Sequence, residues 1–152
     1  MTDRIFIDSN VWVYLFTKDD EQKNKIAAEY IKTNAKSNLL IISSQVINEV
    51  CHVLKRKNFT EPEIRYVAND MAGICDVCSW SLETAMLASE LRETCSLSFW
   101  DSQIIASALC AQCNILVSED MHSGQKVKSL IVKNIFDYNE KTRKRTLYIQ
   151  QG

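Results

Sequence analysis

Glycine and proline are scarce in this chain, three Gly and one Pro among 152 residues. That scarcity excludes a flexible linker, a low-complexity segment and a collagen-like run, and no internal repeat is present. It also removes the glycine-loop nucleotide folds, because neither G-x-G-x-x-G nor a P-loop occurs. No stretch approaches the ~20 apolar residues needed to cross a bilayer, so no membrane association is expected. Net charge is equally lacking. Eighteen basic against nineteen acidic residues leave -1, so no global basic field advertises a polyanion, which would have to be met locally. Basic clusters stand at Lys55-Arg56-Lys57, at Lys126 with Lys128, and at Lys141-Thr142-Arg143-Lys144-Arg145. Each taken alone reads first as a solvated face or tail.

The opening residues Met1-Thr2-Asp3-Arg4 run directly into a strand-like segment with no apolar leader. With six cysteines in such a chain, reduced thiols in a cytoplasm are expected in preference to a disulfide framework. At 46% hydrophobic content the length suits one domain that buries about two-thirds of the surface its unfolded form exposes.

Apolar runs and capping residues supply the organisation that glycine and proline do not. Arg4-Ile5-Phe6-Ile7, Leu39-Leu40-Ile41-Ile42 and Ile115-Leu116-Val117 are continuous apolar runs of the kind that form strands buried on both faces. A third strand is expected within Ile74 to Trp80 and a last one at Leu130-Ile131-Val132, with Leu147-Tyr148-Ile149 as a further edge strand in the tail. Helices fall between. One spans Val11 to Phe16, one opens at Asp19 and Asp20 with Ile26, Ala27, Tyr30 and Ile31 on its inner face, and one is capped by Ser43 and Ser44. Thr60-Glu61-Pro62-Glu63 forms a capping box, with Gly73 as the matching stop. Ser81 caps a helix through Leu91, and another runs from Phe99 to Cys113. This alternation predicts an α/β fold, a mostly parallel sheet of four to five strands with helices on both faces.

Four acids then gather at one edge. Asp8 and Asp120 follow the ends of two strands, Asp101 lies in the first turn of a helix starting near the same edge, and Glu49 sits on a helix leaving it. In open α/β sheets that is the ligand edge. Carboxylates ~5 Å apart repel by about 3 kcal/mol at an effective dielectric near 20, so a convergent set either protonates or binds a cation. All-oxygen donors without His or Cys suit Mg²⁺ or Mn²⁺ and not zinc. Such ions activate water and stabilise the leaving oxygen in phosphodiester hydrolysis. Each acid alone has a plainer explanation: Asp101 is favoured by the helix dipole, and Glu49 suits a solvated helix face.

The segments around these acids carry a family resemblance. Ile5-Phe6-Ile7-Asp8-Ser9-Asn10, Val46-Ile47-Asn48-Glu49-Val50, Ser98-Phe99-Trp100-Asp101-Ser102-Gln103-Ile104-Ile105-Ala106 and Leu116-Val117-Ser118-Glu119-Asp120-Met121 resemble, in order, the four signature segments of PIN-domain nucleases. Among these the chain is most similar to VapC-like ribonuclease toxins of toxin-antitoxin pairs. The resemblance implies a PIN-like three-layer domain over residues 1–136, with 137–152 as a C-terminal extension to which it assigns no role. It implies that Asp8, Glu49, Asp101 and Asp120 are catalytic and bind Mg²⁺ or Mn²⁺, and that Ser9, Asn10 and Ser118 orient them. It further implies endonucleolytic cleavage of RNA by a homodimer restrained by a small antitoxin. Lys55, Arg56, Lys57, Arg143, Lys144 and Arg145 are the expected phosphate contacts.

Other constellations carry less. The pairs Cys75/Cys78 and Cys110/Cys113 have zinc-like spacing, yet they fall on a strand and an apolar helix end, where small buried thiols are common. Cys51 and His52 are adjacent on one helix and so cannot face each other as a nucleophile pair. His52 reads as a surface residue, His122 as a loop residue, and Trp12, Trp80 and Trp100 as core. A receiver-like signalling module would need an acceptor Asp at the end of the third strand, where Cys78-Ser79-Trp80 stands. The alternative within the family is a catalytically silent PIN-like scaffold that binds RNA or protein.

Overall fold

Each apolar run identified above becomes a strand. The computed structural model describes residues 2–137. The chain runs β1 (Arg4–Ile7), α1 (Ser9–Phe16), α2 (Glu21–Ser37), β2 (Leu39–Ser43), α3 (Ser44–Arg56), α4 (Glu61–Ile74), β3 (Asp76–Cys78), α5 (Leu82–Thr94), α6 (Phe99–Cys110), β4 (Ile115–Val117), β5 (Lys126–Val127) and β6 (Leu130–Lys133), with a helical turn at 135–137. Side chains cap the helices where the sequence indicates: Asp20 accepts from Lys23 N–H, Ser43 from Val46 N–H, and Ser81 from Thr84 N–H. At Thr60 both halves of the capping box with Glu63 are formed.

The six strands lie in the order β3-β2-β1-β4-β6-β5. β1 is central and parallel to both neighbours, with Ile5 opposite Leu40 on one side and Ile115 on the other. Its Ile5, Phe6 and Ile7 are wholly buried, as are Ile42 of β2 and Leu116 and Val117 of β4. Right-handed crossovers from β1 through β2 to β3 put α1 to α4 on one face, and the return from β3 to β4 carries α5 and α6 across the other. The chain therefore leaves β1 in one direction and reaches β4 from the opposite one. Between the C-terminal ends of β1 and β4 a crevice opens, which is the topological switch point.

Three sequence expectations are corrected. The sheet has six strands because a two-residue strand, β5, pairs antiparallel with β6 at the edge. Its hairpin turn has Lys128 at φ 54° and no glycine, so the usual hairpin signal is missing. Gly73 does not stop α4. The helix continues to Ile74, its cap is Cys75, and Gly73 lies exposed inside the last turn without a positive φ. Trp80 and Trp100 are not core: they are 49% and 64% exposed, while Trp12 is fully buried and donates its Nε1–H to Ile7 O at 3.2 Å.

All six cysteines are free thiols. Cys75 and Cys113 are buried, and burial pushes each thiol up to about 12, as small core residues. Among the described residues, no helix is long and apolar enough to cross a membrane. Arg143, Lys144, Arg145 and the expected edge strand Leu147-Tyr148-Ile149 lie outside the described residues.

Two substitutions test this packing. A Cβ at Gly73 would meet nothing within 4 Å, so Gly73→Ala should stabilise the protein by about 0.5–1 kcal/mol through helix propensity. Leu116→Ala, in the buried centre of β4, should cost about 2–5 kcal/mol. Urea denaturation of the two variants measures both.

Candidate functional site

Asp8 is the first residue past β1 and the N-cap of α1, where its Oδ1 accepts from Ser9 N–H at 2.8 Å. Its other oxygen, Oδ2, accepts from Ser118 Oγ at 2.8 Å. Ser118 follows β4 and is buried, so this bond closes the switch-point crevice from the two strands that form it. Ser9 Oγ lies 3.5 Å from Asp8 Oδ1 and donates to Glu49 Oε2 at 2.9 Å, tying α3 to the same point. One turn earlier on α3, Gln45 Nε2 donates to Glu49 Oε1 at 2.9 Å. Asn10 completes the set. Its Nδ2 donates to Asp120 Oδ2 at 3.0 Å, and its Oδ1 accepts from Glu119 N–H at 3.4 Å.

Hydrogen bonds thereby join Asp8 and Glu49 in one polar network, with Ser9, Gln45 and Ser118 as its donors, while Asp120 is held separately by Asn10. Asp101 is not in that network. It occupies the first turn of α6, half-buried, with its N–H donated to Ser98 Oγ at 3.1 Å. Its neighbours Trp100 and Gln103 nevertheless line the same groove as Glu49, so α6 forms the facing wall. Glu119, adjacent to Asp120, belongs to a separate cluster in which Lys23 Nζ lies 3.1 Å away and Tyr14 Oη donates at 2.9 Å. Gln45 is the network member that motif reading passes over. Its position four residues before Glu49 is the signal that finds it.

The basic segment on α3 is largely committed elsewhere. Lys55 pairs with Glu61 at 2.8 Å and Lys57 pairs with Asp19. Both stand at the C-terminal end of α3, with Arg56 exposed beside them.

Electrostatically the crevice is acidic and uncompensated. Among the described residues no ion pair involves Asp8, Glu49, Asp101 or Asp120. Asp8 is only 6% exposed. Burial pushes its carboxyl up to about 6, and the charges of Glu49 and Asp120 add to the rise, against the lowering by the Ser118 and Ser9 hydrogen bonds. Asp8 is buried, Glu49 half-buried and Asp120 exposed, and oxygen-only donors around such a mutually repelling set fit a hard divalent cation. Among the described residues, however, no three acidic, imidazole or thiol groups stand close enough to enclose an ion, so any such ion would draw Asp8, Glu49 and Asp120 further together.

A carboxyl whose folded pKa is raised favours the folded state fully below its unfolded value, and that contribution is lost as pH rises through the folded value. For Asp8 the window runs from 3.8 to about 6, and the charged form costs up to about 3 kcal/mol above it. Asp8→Asn should therefore stabilise the metal-free protein at pH 7.5, with the gain shrinking as pH falls toward 4. Thermal melts in a chelating buffer at both pH values read this directly.

The geometry agrees with known proteins at the level of fold. Residues 5–123 match the model of the PIN domain family. Among solved structures, the chain is similar to a VapBC2 complex from Rickettsia felis bound to a DNA fragment from its promoter. The TM-score is 0.67 at 18% identity, over 86% of this chain and 98% of that one. A toxin-antitoxin complex from Klebsiella pneumoniae gives 0.64 at 18% identity over 86% and 97%. VapC20 of Mycobacterium tuberculosis, a sarcin-ricin loop cleaving toxin, gives 0.60 at 18% over 74% and 86%. No curated protein matches the chain in sequence. With most of its length matched by one family model, and with the acidic crevice at the switch point of the matching fold, this chain belongs to the PIN domain family.

Proposed function

We propose that this protein is a divalent-metal-dependent endoribonuclease, the toxin of a toxin-antitoxin pair, acting in the cytoplasm. The observation that carries the reading is the buried Asp8 carboxylate at the β1/β4 switch point, flanked by Glu49 and Asp120 with no cationic partner. Family membership supports nuclease chemistry. The structural likeness to a sarcin-ricin loop cleaving toxin supports RNA as the polymer, and the likeness to VapBC complexes supports a small antitoxin as partner. A homodimer fits the same reading.

In this reading Asp8, Glu49 and Asp120 hold Mg²⁺ or Mn²⁺, and Asp101 completes the acidic set from α6. When bound, such an ion would ease the ionisation of a water to the nucleophile that attacks the phosphodiester and would supply charge to stabilise the leaving oxygen. The chain's own residues prepare the site. Ser118 and Ser9 occupy one lone-pair direction on each oxygen of Asp8 and keep the carboxylate from rotating. Ser9 and Gln45 together fix the plane of Glu49, and Asn10 holds Asp120. Arg56 serves the phosphate backbone away from the reacting bond, and Arg143, Lys144 and Arg145, outside the described residues, are further phosphate contacts in this reading. Lys55 and Lys57 would join them by exchanging Glu61 and Asp19 for phosphate.

Cleavage of a mixed RNA pool by the purified, partner-free protein with Mg²⁺, Mn²⁺ or EDTA tests the reading. Cutting should require the metal and fall by roughly a hundredfold or more in Asp8→Asn, since a preorganised charge at the reacting centre is lost, although the metal-free variant should be the more stable protein. A folded protein that cuts nothing under either metal would instead be the silent RNA- or protein-binding scaffold.

A further inference from the structure

Beside the acidic crevice lies an open groove of about 710 Å³ between α3 and the start of α6. Its apolar surface comes from two indoles, Trp80 before α5 and Trp100 in the first turn of α6, both substantially exposed. Its remaining walls are polar: Ser44, Gln45, Asn48 and His52 from α3 and Gln103 from α6, with Glu49 shared with the acidic crevice. No lysine or arginine lines it, so the occupant's part in the groove is uncharged, planar and rich in hydrogen-bonding edges. A partner helix would call for aliphatic walls, which are missing.

The groove is also prepared for an occupant. Phe99 packs edge-on against Trp100 with ring centres 5.2 Å apart, and the Arg92 guanidinium sits over Phe99 at 4.6 Å while donating to Ser102 Oγ at 2.7 Å. Trp100 thus packs edge-to-face on a ring that is itself held by Arg92, and this preorganisation lowers the entropy lost when a base lies against it. Gln45 must turn its amide N–H toward Glu49, because the reverse orientation would set carbonyl against carboxylate. Its Oε1 is left buried and without a hydrogen-bond partner. A donor on an occupant would relieve that after a small rotation of the side chain.

We propose that this groove binds an unpaired nucleobase of the RNA, stacked on the indoles of Trp80 and Trp100 and read by the amides of Gln45, Asn48 and Gln103. Aromatic stacking is tolerant of base identity, and side-chain amides meet base edges. Because Glu49 belongs to both groove and crevice, the stacked base is the one beside the reacting phosphate. The proposal rests on the endoribonuclease reading above, and it excludes continuous duplex, whose bases are already stacked.

The test uses the full chain with Mg²⁺ and two probes of equal length and charge, a single-stranded 2′-O-methyl oligonucleotide and its abasic counterpart, followed by tryptophan fluorescence. The base-bearing probe should quench the exposed indoles, with buried Trp12 as spectator. The double variant Trp80→Ala/Trp100→Ala should bind it about five- to a hundredfold more weakly per stacked base, the Phe variants should recover most of that, and abasic binding should barely move. In cleavage of single-stranded RNA the loss falls on KM more than on kcat. Equal affinity for the two probes, or Ala variants that bind RNA normally but change oligomeric state, would overturn the proposal and give this face to a protein contact. A wild-type protein that cuts no RNA would remove the nuclease reading alone, since the two probes still decide the groove.

Discussion

Everything at the acidic crevice depends on one constraint, the parallel pairing of β1 with both β2 and β4. A central strand buried on both faces can change neither its register nor its length without moving its apolar side chains out of the core. Ile5, Phe6 and Ile7 are therefore fixed, and the next residue must leave the sheet at a defined point. That residue is Asp8. Its Oδ1 starts α1 as a cap and its Oδ2 takes the Ser118 hydroxyl from the end of β4, so one side chain joins helix start, strand end and crevice.

The same burial that makes the site rigid makes it costly. Asp8 lies among apolar strands with two further acids nearby, and its carboxyl is held well above its ordinary range. Ser9 and Ser118 donate to Asp8 and offset part of the cost, while Asn10 and Gln45 serve Asp120 and Glu49. They orient the acids without cancelling their charge, which an arginine or lysine would do. The contrast with Glu119 is informative. One residue away from Asp120, it has Lys23 and Tyr14 as partners and works as a tie between β4 and α2.

The sequence made the centre of the fold legible because strands buried on both faces are written as unbroken apolar runs, and because Asp20, Ser43, Thr60 and Ser81 announce the helices they cap. Asp8 and Glu49 share one hydrogen-bonded network, and Asp120 is held beside it by Asn10. What escaped reading shares a cause, in that it depends on pairing and cover that hydropathy does not record. Two-residue β5 exists only because β6 is already in the sheet. Gly73 has the composition of a stop, yet Cys75 N–H still reaches Met71 O and the helix goes on. Trp80 and Trp100 stand in apolar stretches, but each lies where the chain enters a helix at the sheet edge, and nothing covers their rings among the described residues. Hydrophobicity says what a residue prefers to meet; whether anything is there to meet is settled by the tertiary fold.

The bond from Ser118 to Asp8 spans 110 residues. A nascent chain emerging from a ribosome can pair β1 with β2 after about forty residues, but it leaves the other edge of β1 open until β4 has been made. Through most of synthesis the central strand waits half-paired, and contacts of such separation are the slow ones to form. The crevice is consequently among the last features of the molecule to come into being. The acids of the two strand ends cannot come together until nearly all of the sheet has been translated.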